Sequence, residues 1–240
     1  MNRAWDIAAG LVIALHLAAQ AVDAHTLADG TQVLLVPALA GAVWNRAEVP
    51  HGSRPARLYA GALFFSWIGD AAPRVFADEA GFIAMVTAFG VAQVCFVATF
   101  VRLRSRPLRP IVALGYLAGF VGLFAACVSG AGPLLPLVAV YGLVLVAAAA
   151  VSTRVNTMTG IGGLIFFISD ALLGLESFSA WYALPSHDLI VMTTYIAAQV
   201  LIAAGLLRHW RVERQAPADP GGDEPADSPQ TGDGDVQRTT

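Results

Sequence analysis

The sequence predicts an all-α, polytopic membrane protein of eight transmembrane helices. Of its 240 residues, 57% are hydrophobic and only 13% charged, about half the charge of an ordinary soluble domain. The mean hydropathy is +0.65. The apolar residues gather into runs of roughly 16–22, long enough to cross a bilayer core as helix. The arginines fall between these runs on alternate sides, as the positive-inside rule requires.

The spans are expected at 5–23, 28–45, 58–77, 80–101, 109–128, 133–152, 157–177 and 188–209. The first follows Arg3. Its end, Ala19-Gln20-Ala21, faintly resembles a signal cleavage site, and a retained first helix is the preferred reading. The second contains Pro37, tolerable only if a neighbouring helix satisfies the carbonyl the ring frees. The third follows Arg54 and Arg57, and the fourth ends at Arg102. Arg106-Pro107 and Arg109-Pro110 precede the fifth. The sixth begins after Gly130-Ala131-Gly132-Pro133, a run that breaks a helix. Asn156 stands where a cap would open the seventh. The eighth leads to Arg208 and Arg211.

With the N-terminus inside, inner segments hold Arg3, Arg46, Arg54, Arg57, Arg102, Arg104, Arg106, Arg109, Arg154, Arg208, Arg211, Arg214 and Arg238, and the outer ones only Arg74. Both termini are therefore expected to be cytoplasmic. There is no lysine, which together with the Ala, Gly and Val richness reads as GC-rich codon usage rather than function; a bacterial inner membrane is the expected location. Residues 213–240 carry seven acids against two arginines. They are expected to form a disordered acidic tail on a 1–212 transmembrane domain. The arginines lie in separate loops rather than on one face, which argues against nucleic-acid binding. Cys95 and Cys127 sit in apolar runs without metal-ligand spacing and read as small buried hydrophobes. No metal or cofactor is expected.

Two spans echo each other. The third reads Leu63-Phe-Phe-Ser-Trp-Ile-Gly-Asp70 and the seventh Gly163-Leu-Ile-Phe-Phe-Ile-Ser-Asp170. Two parallel four-helix repeats would explain this; so would convergence of two short apolar stretches. Both aspartates fall near mid-span at similar depth. An ionised aspartate there costs at least ~2.5–3.5 kcal/mol, so each must face the protein interior or water. Two buried carboxyl groups sharing a site settle with one proton between them, which supplies an acid and a base together. Asp70 and Asp170 are thus the candidate catalytic residues, with a structural hydrogen-bonded pair as the plainer alternative.

Around them, Ser66 lies one turn before Asp70 on the same face, and Ser169 adjoins Asp170. Tyr195 and Gln199 are four apart in the last span. Gln93 and Tyr141 are further polar groups in apolar surroundings that need partners. These six are candidate substrate-binding residues, with helix-to-helix bonding as the alternative for each. His16 has no partner at ligand spacing and reads as structural.

These motifs resemble those of the YhhN-like lysoplasmalogenases. The third-span stretch is similar to that family's Phe-Ser-x-x-Gly-Asp, and the seventh to its Phe-x-x-Ser-Asp. Val140-Tyr141 and Thr194-Tyr195-Ile-Ala-Ala-Gln199 are similar to its later tyrosine motifs. The likeness covers about residues 1–212. The chain departs from the family at Thr31-Gln-Val-Leu-Leu-Val-Pro37, where a Lys-Pro pair is usual, and at Gln93 and Phe96, where histidine and tyrosine are usual. The resemblance implies an eight-span enzyme that hydrolyses the vinyl ether of 1-alkenyl lysophospholipids, with a membrane lipid as substrate. A carboxylic acid and a carboxylate suit that reaction. A proton-coupled transporter using the same aspartates is the alternative.

Overall fold

The structure, a computed structural model, describes residues 3–215. It is all-helical: α1 Arg3–Ala21, α2 His25–Trp44, α3 Arg54–Val75, α4 Asp78–Arg102, α5 Pro110–Cys127, α6 Leu135–Ser152, α7 Thr157–Phe178 and α8 His187–Gln215. A short 3₁₀ turn at Gly132–Leu134 leads into α6. All eight expected spans are present. The expected tail lies outside the described residues, except that 213–215 prolong α8.

Seven helices are long and apolar enough to cross a membrane by length and composition. α3 is as long, but carries Arg54, Arg57, Asp70 and Arg74. The chain is a multi-pass membrane protein. The outward-facing Ile7, Leu11, Leu15, Ile111, Leu114 and Val121 of α1 and α5 are exposed in the isolated chain, as lipid-facing positions should be.

The helix starts follow from local chemistry. Ser53 accepts a hydrogen bond from the Ala56 amide, with Pro55 in the first turn of α3. Asn156 caps α7 by accepting from the Thr159 amide, and its Nδ2 donates to the Gly205 carbonyl at 2.8 Å. Pro37 lies inside α2 and leaves the Val33 carbonyl without its helical donor. Trp67 Nε1 of α3 donates to that carbonyl at 3.0 Å. At the arginine-rich end, Arg211 donates through Nε and Nη2 to Glu48, at 3.1 and 2.7 Å. These bonds hold the Glu48 carboxyl below its ordinary value.

The most closely packed pairs are α3 with α4 and α7 with α8, the pairs a four-helix repeat would match. Small residues allow the second approach. A Cβ on Gly162 would stand 2.9 Å from Ile202 Cγ1 and 3.0 Å from the Ala198 carbonyl and the Ile202 amide. α5 is the least embedded helix, burying only Tyr116 and Cys127. The main core runs through Tyr59, Phe96, Phe100, Phe166, Ile202 and Leu206.

Candidate active site

Asp70 is 4% exposed, in the second half of α3. Tyr195 of α8 donates its hydroxyl to Asp70 Oδ2 at 3.0 Å. One turn along α8, Gln199 Nε2 reaches the Tyr195 hydroxyl at 3.3 Å and Ser66 Oγ at 3.4 Å. Ser66, Gln199, Tyr195 and Asp70 therefore form one polar ladder between α3 and α8. The i,i+4 spacings of Ser66 with Asp70 and of Tyr195 with Gln199 place all four on facing surfaces.

Asp170 is half-buried, on α7. Its Oδ2 accepts a hydrogen bond from the Tyr141 hydroxyl of α6. Gln93 of α4 faces the same hydroxyl. Among the described residues no hydrogen bond joins the two carboxylates directly, yet Asp70 lies close enough to feel the charge of Asp170. Aromatic rings occupy the space around Tyr195: Phe89 meets it at 5.9 Å between centroids and Phe166 at 5.6 Å, both edge-on.

The two aspartates stand at similar distances from the ends of their helices. Five residues of α3 follow Asp70 and eight of α7 follow Asp170, a difference of roughly 4.5 Å at 1.5 Å per residue.

Seven of the eight residues singled out by sequence gather here. Ser169 does not. It is 1% exposed and donates to the Val191 carbonyl of α8 at 3.0 Å. Neighbours on a helix point about 100° apart, so a residue adjoining Asp170 is turned to a different surface. That hydrogen bond ties α7 to α8. Two amide atoms near the tyrosines, Gln93 Nε2 and Gln199 Oε1, are buried without a protein partner. Such atoms are costly unless something polar meets them, as a polar part of a substrate would.

Two residues missed from the sequence stand beside Asp70. Arg74 had been read only as the lone arginine of an outer loop. It belongs instead to the last turn of α3, where its Nη1 donates to the Asp70 carbonyl at 2.6 Å. Its Nη2 donates to Asp29 Oδ1 at 2.7 Å and to Gln32 Oε1 at 2.8 Å. The Gln32 side chain in turn faces the Asp70 carboxylate.

A narrow cleft with about 60 Å³ of usable space, open to the surroundings, leads to Asp170 and Tyr141 between α4, α5, α6 and α7. Its walls are apolar, with Phe82, Val86, Phe120, Leu123, Phe124 and Leu173 prominent. One group of side chains among the described residues has the spacing to hold a cation: Glu176, His187 and Asp188, at the α7–α8 turn. Glu176 lies roughly 9 Å along the helix beyond Asp170, and His187 pairs with it through Nε2. That contact links the end of α7 to the start of α8.

Tyr195→Phe should lower kcat/KM for the reaction this site performs by about tenfold to a hundredfold. A hydrogen bond to a charged group contributes about 1.5–3 kcal/mol, and the ring would keep its place between Phe89 and Phe166. Kinetics on the purified variant check this; an unchanged kcat/KM would reduce Tyr195 to packing.

The YhhN family model matches residues 27–206. The chain is 33% identical over 187 residues to the Homo sapiens protein named lysoplasmalogenase TMEM86B, covering 73% of each. It is 33% identical over 175 residues to the Sus scrofa protein of that name, covering 72% of this chain and 74% of that one. The Rattus norvegicus protein of that name is 32% identical over 152 residues, covering 63% and 62%. No solved structure matches the chain.

Proposed function

We infer the function of this chain from its membership: it belongs to the YhhN family, and it is a lysoplasmalogenase that hydrolyses the vinyl ether of 1-alkenyl lysophospholipids to a fatty aldehyde and a glycerophospho-alcohol. The observation that carries this to particular atoms is a pair of neighbouring aspartates, each held by a tyrosine hydroxyl, of which Asp170 lines an apolar cleft.

The chemistry runs as follows. A protonated aspartate delivers its proton to the alkene carbon that bears the alkyl chain, and the π pair becomes the new C–H bond. The other alkene carbon becomes an oxocarbenium centre bonded to the glycerol oxygen. The ionised aspartate stabilises that cation and accepts a proton from water as its oxygen bonds there. In the resulting hemiacetal the carbon–glycerol bond breaks. The second aspartate returns its proton to the departing oxygen, and the first recovers one from the hemiacetal hydroxyl. Both carboxyl groups end as they began. Glycoside hydrolysis divides its labour between two carboxyl groups in the same way. Tyr195, Tyr141, Gln93, Gln199 and Ser66 orient the pair and the polar part of the substrate. The apolar cleft takes the alkenyl chain.

The arginine pattern supports a placement with both termini cytoplasmic, and we assign the chain to a bacterial inner membrane. Among the described residues, the starts of α1 and α3, the ends of α4 and α8 and the segments joining α2 to α3, α4 to α5 and α6 to α7 carry the arginines. Arg74 alone stands at the opposite end.

Purified chain should release aldehyde from a 1-alkenyl lysophospholipid and none from its saturated 1-alkyl counterpart, which has no π pair to protonate. Aldehyde trapped by a hydrazine reagent and measured by mass spectrometry gives the result. Absence of aldehyde from the alkenyl lipid would overturn the reading.

A further inference from the structure

We propose that the two aspartates have fixed and unequal roles: Asp170 is the acid that protonates carbon, and Asp70 is the carboxylate that faces the cation and water, held in that role by Gln32 and Arg74 as positioning residues. This rests on the vinyl ether reading above and goes beyond it, since that chemistry alone permits either assignment.

The partners of the two groups differ. Asp70 accepts from Tyr195 and faces Gln32 of α2, whose Oε1 is occupied by Arg74 Nη2. An amide whose oxygen accepts from a guanidinium presents its NH₂ to what lies on the other side, and here that is the Asp70 carboxylate. Arg74 itself is bound to the Asp70 carbonyl, and Asp29 holds its far edge. One hydroxyl donor, an amide turned towards the carboxylate and a nearby cation favour the ionised form. Asp170 has a single hydrogen-bond partner among the described residues, Tyr141, on one oxygen. A carboxyl group so placed is the one that keeps the shared proton, and its second oxygen is left to carry it.

The cleft gives the same assignment independently. In R–CH=CH–O–glycerol the carbon that accepts the proton is the one bonded to the alkyl chain. The carbon that takes water is bonded to the oxygen of the polar part. The acid should therefore line the chain pocket and the base should lie on the polar side. Asp170 lines the apolar cleft and Asp70 does not. The groups beyond Asp70 are Gln32, Arg74 and Asp29, a polar surrounding that suits water and hydroxyl groups.

The test is the pH profile of kcat/KM for aldehyde release by the full chain in detergent micelles. Asp70 must be ionised, so it sets the acidic limb; Asp170 must be protonated, so it sets the basic limb. Arg74→Gln and Gln32→Leu each should move the acidic limb to higher pH by about one unit and leave the basic limb in place. Arg74→Lys, which keeps the charge, should restore the wild-type limb. A purely structural role would lower activity at every pH without moving a limb. Movement of the basic limb instead would exchange the two roles, and movement of neither would remove Gln32 and Arg74 from the site; either overturns the proposal. If Arg74→Gln does not fold, Gln32→Leu and Arg74→Lys decide it. Wild-type chain that releases no aldehyde would instead overturn the functional reading itself.

Discussion

Asp170→Asn should cut aldehyde release by about 10²–10⁴-fold, the range that general acid catalysis contributes. The substitution keeps the shape of the side chain. The Tyr141 hydroxyl can still donate to the Asn carbonyl oxygen as it does to Asp170 Oδ2. What is lost is the proton that reaches carbon, because an amide N–H is far too weak an acid to replace it. Asp70→Asn should fall within the same range for a different reason: the amide can neither balance the oxocarbenium charge nor accept water's proton. The double variant should be little worse than the weaker single one, since groups acting as one unit are strongly non-additive. Thermal unfolding in detergent should be nearly unchanged in both single variants, which separates loss of chemistry from loss of fold. Undiminished release in both would remove the aspartates from the mechanism.

Gly162→Ile should give the largest loss of stability. Around Gly162 the nearest atoms include the Ala198 carbonyl and the Ile202 amide, both 3.0 Å from where a Cβ would stand. Those are helix backbone and cannot rotate aside as a side-chain tip can. Overpacking of this kind costs about 1–3 kcal/mol, so the unfolding midpoint should drop clearly. Activity should fall further than stability. α7 carries Asp170 and α8 carries Tyr195, and a shift of about 1 Å between reacting groups can cost 10²-fold. Gly115→Ala is the matched control: no atom lies within 4 Å of a Cβ there, and its helix, α5, touches neither Asp70 nor Tyr195. Equal behaviour of the two variants would show that the α7–α8 seam tolerates separation.

The fold was legible because a bilayer imposes its length on every span, and because arginine placement fixes the parity of their number. Pro37 was legible as a demand for an outside donor; that Trp67 supplies it was not, since helix adjacency is not written in one helix. The aspartates were conspicuous for their cost. Tyr195 with Gln199 and Ser66 with Asp70 could be read as faces from the spacing of four. That Asp70 pairs with the tyrosine of α8 and Asp170 with that of α6 depends on helix rotation, which spacing alone does not fix. Ser169 shows the same limit, because adjacency in sequence suggested a site and helical geometry turned it onto Val191. Arg74 was within reach: it lies four residues beyond Asp70 on the same helix. Its value as a marker of topology obscured its value as a neighbour.

The bond between Tyr195 and Asp70 spans 125 residues of chain. A ribosome adding about 5–20 residues per second needs roughly 6–25 seconds to cross that interval. Through all of it α3, the one helix too charged to qualify as a span by composition, carries an aspartate whose tyrosine has not yet been made. The last helix to emerge is thus the one that completes the environment of the third. Any truncation before α8 would leave Asp70 with Gln32 and Arg74 but without its tyrosine.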